Sequence, residues 1–286
     1  MILTFFRLLE VMSKRDSLGD RMKSYYENRA KTYLVRRMPV IIRLDGKAFH
    51  TFTRGFAKPF DKRLIKTMQE TTLELCKNIQ GCVFGYTQSD EITLVLVDYN
   101  TLDTDAWFDY SVEKMCSVSA AMATLYFNRI FRNKIHEFVN KHHSVLTDVK
   151  TYGEELVGSV NKLLKSYNRA VEQGALFDSR CFNIPISDVC NCILWREKDA
   201  ERNSINSLGQ SMFSHKELQG KSTSQVQDML MEKYGINWNN LSTVEKRGTA
   251  VIKNDKGEWF IDDEMPILTG EGRNYVESRI IFDDKK

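Results

Sequence analysis

The chain alternates short apolar runs with longer stretches of helical period. Val40-Ile-Ile-Arg-Leu-Asp45 reads as a buried strand that ends on a carboxylate, and Gly46 to His50 reads as a turn. Pro59 and Asp61 announce a helix, with Leu64, Met68, Leu75 and Ile79 on one face and Gly81 as its stop. Residues 82–86 and 91–97 are predicted strands, rich in β-formers and separated by the polar tip Thr87-Gln88-Ser89-Asp90. A long helix over about 104–131 follows. It carries a stripe of Phe108, Val112, Met115, Met122 and Tyr126, and a small-residue surface around Ser119 and Ala123 suited to packing on a sheet. Residues 179–185 read as a further strand. The order is β-α-β-β-α-(insert)-β, the ferredoxin-like split βαβ of an α+β fold.

The insert, about 132–176, reads as helical, with Val149, Leu156, Val160, Leu163, Tyr167 and Val171 in one stripe. It opens on basic residues, Arg132, Lys134 and Lys141, followed by His142 and His143. A helical hairpin packed on the body and a partner or RNA contact are both open readings. The division expected is 13–185 for the sheet-bearing part and 186–286 for a mostly helical part with a β-hairpin over 246–262. No pattern is evident beyond 270.

Length and composition narrow the classes. The 286 residues are 42% hydrophobic and 28% charged, which excludes collagen-like, low-complexity and wholly disordered chains. No apolar run approaches the ~20 residues of a membrane helix. The 6 cysteines sit amid apolar segments and read as reduced thiols of a cytoplasmic protein. Met1 to Val11 is apolar but too short to span a bilayer, and Met12 is a plausible natural start. The net charge is only +3, yet Lys14 to Arg37 holds eight basic residues against three acids. That segment is either a solvated helix face or a contact for a polyanion.

The chemistry concentrates where strands end. Asp45 closes the first strand, and Asp90 and Glu91 sit at the hairpin tip. With strand 1 placed beside strands 2 and 3, these carboxylates meet at one edge. Carboxylates forced together are relieved by a divalent cation, and two of them with phosphate oxygens suit Mg²⁺. Alone, Asp45 is an ordinary turn residue and Asp90 an ordinary hairpin residue. Gly46 permits close backbone approach, and successive amides after it form a candidate phosphate cradle. Lys47, Lys58 and Arg63 are candidate counter-charges for a triphosphate. Phe49 fits the core or a base-stacking platform, and His50 a phosphate contact or a structural role. Cys190-Asn191-Cys192 lacks a second pair at zinc spacing, and no Walker-type loop, G-x-G-x-x-G or G-x-S-x-G is present.

Three ordered segments carry a family resemblance. They are Arg43-Leu-Asp-Gly-Lys-Ala-Phe-His50, Phe56-Ala-Lys-Pro-Phe-Asp-Lys-Arg63 and Tyr86-Thr-Gln-Ser-Asp-Glu91. Together they resemble the tRNA(His) guanylyltransferase family, whose members add nucleotides to the 5′ end of tRNA in the 3′-to-5′ direction. Softer matches follow at Trp195-Arg196, Leu218-Gln-Gly-Lys221 and Lys246-Arg-Gly-Thr249. The resemblance implies a polymerase- and cyclase-like palm over 13–185 and a tRNA- and nucleotide-contacting region over 186–286. It implies two Mg²⁺ ions on Asp45 and Asp90 with the Gly46 carbonyl, and Glu91 as a catalytic neighbour. By the same resemblance Gly46, Lys47, Ala48, Phe49, His50, Lys58, Asp61 and Ser89 bind nucleotide, and Arg202, Asn203, Lys246 and Arg247 contact tRNA. ATP, GTP and other NTPs are the implied substrates, and a homotetramer the implied assembly.

Eukaryotic members carry His-Ile-Asn-Asn-Leu-Tyr-Asn where this chain has Glu201-Arg-Asn-Ser-Ile-Asn-Ser207. This resembles the bacterial, archaeal and phage-type branch, which repairs truncated tRNA 5′ ends by template-dependent addition. Phe60 and Thr87 also depart from the family pattern. Two rival readings remain open on the residues alone: a palm-fold nucleotide cyclase or cyclic-dinucleotide synthase, and a non-catalytic RNA-binding protein.

Overall fold

A computed structural model describes residues 17–282. Met1 to Met12 and the first residues of the basic N-terminal segment lie outside this range. Within it, that segment forms helix α1 (Ser17–Tyr25), which buries none of its residues.

One antiparallel sheet of six strands organises the chain, in the order β4-β1-β3-β2-β5-β6. The strands are β1 (Val40–Gly46), β2 (Cys82–Gln88), β3 (Glu91–Leu96), β4 (Phe177–Asn183), β5 (Thr249–Lys253) and β6 (Trp259–Asp262). The first four reproduce the split βαβ arrangement. The expected neighbours of β1 need correction: it pairs with β3 and β4, and β2 lies one strand further out. The convergence of Asp45 and the hairpin tip survives, because β3 alone supplies it. β5 pairs with β2 and carries β6, so the late hairpin extends the same sheet.

The two faces of the sheet read alternate residues. Val40, Ile42, Leu44, Ile92, Leu94 and Leu96 point to one side. There they pack under α2 (Lys62–Asn78) and α3 (Val112–Lys141), with a cluster of Phe49, Phe52, Phe127 and Phe177 at the end of β1. Ile41, Phe84, Tyr86, Val95 and Val97 point to the other side, against α5 (Ile186–Met212) and the C-terminal turns around Val276 and Ile280. The tail beyond 270, which showed no sequence pattern, thus closes the second core layer.

Several boundaries move for physical reasons. The hairpin tip is only Ser89-Asp90, since Thr87 and Gln88 already pair with Ile92 and Glu91. The long helix begins at Val112, because Phe108, Asp109 and Tyr110 have φ of 52°, 52° and 55°. Phe108 is therefore exposed and drops off the predicted stripe. α3 instead runs on to Lys141 and is answered by α4 (Glu154–Gln173), which packs Tyr167 and Ala170 back into the core. This is the helical hairpin among the two readings of the insert. Lys246 and Arg247 end the short helix α7 (Thr243–Arg247), where the sequence pattern had placed them in a strand. α6 (Thr223–Tyr234) packs Val226 and Leu230 on Ile205 and Leu208 of α5.

Candidate active site

β1 ends between two acidic neighbours. Asp45 stands opposite Glu91 on β3 and opposite Asp178 on β4. The three side chains share one face, since directly opposite residues of an antiparallel ladder point the same way. Asp90 follows at the hairpin tip, where Ser89 takes φ 51° and its hydroxyl donates to the Asp90 carboxylate at 3.1 Å. The Gly46 N–H donates to the Asp90 carbonyl at 3.1 Å and fixes the strand end to the tip.

This row of like charges shows in its titration. Burial pushes the Asp90 carboxyl up to about 6, and the charges of Asp45 and Glu91 push the same way against the pull of the Ser89 hydroxyl. Burial also raises Asp45, with Asp178 adding to it and Arg180, Arg43 and Arg196 opposing. Among the described residues no three His, Cys, Asp or Glu side chains converge as a metal cage. The oxygens expected from the sequence, the Asp45 and Asp90 carboxylates and the Gly46 carbonyl, are all hard donors. That set suits a hard divalent cation whose remaining positions go to water and substrate oxygens.

Glu91 is held differently. Arg196, buried on α5, reaches Glu91 at 2.7 Å and Asp199 at 2.6 Å, while Arg43 lies 3.6 Å from Glu91. Both guanidinium groups sit against the Trp195 ring, at 5.0 Å for Arg43 and 4.4 Å for Arg196. Among the described residues Glu91 is held in ion pairs, whereas none closes on Asp45 or Asp90.

The loop after β1 departs from expectation. Lys47 donates its N–H to the Leu176 carbonyl at 2.8 Å, so with the Gly46 bond both leading amides are taken. A phosphate cradle cannot start there. Gly46 instead makes room for a ring: a Cβ on it would lie 2.3 Å from the Phe49 side chain. Phe49 is buried among Phe52, Phe127 and Phe177, which selects the core among its two readings, core or base-stacking platform. Lys47, Ala48 and His50 remain exposed at the site's edge.

Asp61 is likewise turned inward. Its carboxylate accepts from the N–H groups of Ala57, Arg63 and Leu64 at 2.9–3.1 Å and from the Tyr167 hydroxyl at 2.6 Å. It caps α2 and binds the insert to it, leaving little capacity for a ligand. Lys58 is exposed beside it. A 150 Å³ cavity gathers residues from four segments: Phe60 and Asp61, Gln88 and Ser89, Asn203, and Lys246. Among the described residues the buried Gln88 Nε2 has no hydrogen-bond partner. Arg202 and Asn203 both bond to Asp199, and Lys246 donates to the Asn239 carbonyl at 2.7 Å. Arg247, expected on tRNA, points inward to Glu197 and the Met265 carbonyl, each at 3.0 Å. It ties the end of α7 to α5 and to the segment that follows β6.

Sequence reasoning missed Asp178, whose strand it began two residues late, and the role of Arg196, seen only within a soft motif. The signal for Asp178 was the Phe-Asp-Ser-Arg alternation over 177–180.

Among the described residues no helix is long and apolar enough to cross a membrane, and the six cysteines are free thiols.

Comparison with known proteins bears on this geometry. A family model described as tRNAHis guanylyltransferase matches residues 19–185. The solved structure of a bacterial tRNA(His) guanylyltransferase-like protein in complex with ATP is 38% identical, with a TM-score of 0.75. It covers 93% of this chain and 100% of its own. A complex of such a protein with GTP is 35% identical, with a TM-score of 0.69, covering 92% and 98%. Among curated relatives, the probable tRNA(His) guanylyltransferase of Dictyostelium discoideum is 24% identical over 88% of this chain and 89% of its own. An uncharacterized protein of Acanthamoeba polyphaga mimivirus is 26% identical over 83% and 77%.

Proposed function

This chain belongs to the tRNA(His) guanylyltransferase family, and from that premise we propose that it adds nucleotides to the 5′ end of tRNA in the 3′-to-5′ direction, guided by a template base. It is a nucleotidyltransferase with ATP, GTP and other NTPs as substrates. The tRNA 5′-phosphate attacks the α-phosphorus of ATP and releases pyrophosphate. The 3′-hydroxyl of an incoming NTP then attacks the adenylylated 5′-phosphate and releases AMP.

The observation that carries this reading is the meeting of Asp45 and Asp90 through the Gly46–Asp90 bond. Mg²⁺ would be held by Asp45, Asp90 and the Gly46 carbonyl. When bound it would favour ionisation of the attacking hydroxyl and neutralise charge on the leaving group. Glu91, paired with Arg196 and Arg43, keeps the acidic row aligned. Lys47, His50 and Lys58 supply the exposed cationic and hydrogen-bonding edge for a triphosphate. The Ser89, Asn203 and Lys246 cavity beside the tip is the place for further nucleotide or RNA contacts. Glu201 in place of the eukaryotic histidine favours 5′-end repair over a restriction to tRNA(His). A cytoplasmic location and a homotetramer belong to the same proposal.

The test uses Mg²⁺, ATP, all NTPs and a 5′-monophosphorylated tRNA lacking its first nucleotide, with the opposing template base varied. Extension that follows the template base is expected. G addition to tRNA(His) alone would restore the narrower role, and unconsumed ATP with no extension would overturn the proposal.

A further inference from the structure

The basic residues that open the insert have a structural counterpart. A 500 Å³ cleft lies between the N-terminal turn of α2 and the C-terminal third of α3. Lys62, Arg63 and Lys66 line one wall, and Lys134 and Lys141 the other, with Glu137 as the carboxylate among its lining residues. Lys62 and Lys66 rise about 6 Å apart along one helix, and Lys134 and Lys141 about 10 Å along the next. The cations form two facing rows rather than a single point.

Three of the five are pre-positioned. Arg63 lies 3.9 Å from the Phe138 ring centroid and donates to the Tyr167 hydroxyl at 3.2 Å. Lys134 pairs with Glu70 at 2.7 Å and Lys66 with Asp263 at 3.1 Å. Lys62 and Lys141 have no carboxylate within ion-pair distance among the described residues, so they are left to an external anion. Phe60 lines both this cleft and the cavity that contains Ser89, the residue before Asp90, and so lies between the cleft and the hairpin tip.

We propose that this cleft carries the phosphodiester backbone of the RNA substrate, whose 5′ end reaches the carboxylates past Phe60. The proposal rests on the 5′-extension reading above. Rows of flexible ammonium groups recognise charge without reading bases, so the contact is independent of sequence and dependent on salt. It also gives the start of the insert a role: α3 continues past Phe131 to present Lys134 and Lys141 opposite α2.

The test measures tRNA binding by fluorescence anisotropy over a salt series, for the wild type and for Lys62→Gln/Lys141→Gln. Both lysines are exposed, and matching thermal unfolding checks that the variant folds. The variant should bind tRNA on the order of tenfold more weakly, with its log K against log salt slope shallower by about one to two. ATP affinity, measured without RNA, should match wild type. Unchanged tRNA affinity and slope in the variant, with wild-type protein still extending tRNA, would overturn the cleft alone. Wild-type protein that neither binds nor extends tRNA would overturn the cleft and the 5′-extension reading together.

Discussion

The backbone N–H of Gly46 donates to the carbonyl of Asp90, so the last residue of β1 holds the turn residue between β2 and β3. This bond continues the β1–β3 ladder one step past the Asp45–Glu91 pair. It brings together two carboxylates 45 positions apart in sequence. Mutual repulsion alone would splay them. The ladder, made of buried aliphatic positions on both faces, resists that and stores the conflict at the site.

The first prediction follows from that conflict. The folded-state pKa of Asp90 is about 6, above its ordinary value of 3.8. Between these values the folded protein binds more protons than the unfolded chain, so stability falls as pH rises through that window. Asp90→Asn removes the ionisation. The metal-free variant should therefore be more stable than wild type at pH 8 by on the order of 2–3 kcal/mol, with a flatter pH profile. Thermal unfolding of both proteins from about pH 4 to pH 8 reads this. Nucleotide addition should disappear in the variant, and Mg²⁺ should stabilise only the wild type. Equal stability at pH 8 would contradict a strained Asp90.

Arg196 offers a second. It is buried and neutralises both Glu91 and Asp199. Arg196→Leu leaves Glu91 with only the more distant Arg43 and Asp199 with the exposed Arg202, and should lose about 3 kcal/mol in urea unfolding. Arg196→Lys retains the charge but not the two-pronged reach, and should recover part of the stability and activity. A leucine variant as stable as wild type would show that the network is incidental.

The third separates a structural residue from a ligand contact. Asp61→Asn weakens the cap on α2 and the bond to Tyr167, and should lose about 1–2 kcal/mol of stability. Because the carboxylate is already occupied by four donors, ATP affinity measured by calorimetry should stay within about twofold. A tenfold loss of ATP affinity in a folded variant would restore Asp61 to the nucleotide site.

What was legible in the sequence follows a physical line. Asp45 and Asp90 could be placed together because a split βαβ order fixes which strand ends are adjacent, and periodicity reports that order. Asp61 could not be told from a ligand contact, because a capping Asp and a binding Asp look alike until Tyr167 arrives from the insert 106 positions later. Gly46 likewise looked like a ligand approach until the Phe49 ring folded back over it. The start of α3 was misplaced because three consecutive left-handed residues, Phe108 to Tyr110, are non-glycine and carry no turn signature. Lys134 and Lys141 were visible as charge, but their facing partners on α2 required the tertiary structure.

The last prediction concerns the join between the late hairpin and the tip. Gly248 has φ +84°, and a Cβ there would lie 2.5 Å from the Thr87 carbonyl oxygen and 3.0 Å from the Gln88 side chain. Thr87 pairs with both Thr249 and Ile92, so the strain passes directly into the strand that leads to Ser89 and Asp90. Relief requires either β5 to lift from β2 or the tip to shift toward Asp45. Gly248→Ala should therefore lose about 1–3 kcal/mol of stability and reduce nucleotide addition by more than its unfolded fraction explains. Proton exchange at the Thr87 and Thr249 amides separates the two routes: faster exchange marks lifting of β5, and unchanged exchange with lost activity marks a displaced tip. A variant with wild-type stability and activity would show that β5 does not constrain the carboxylate site.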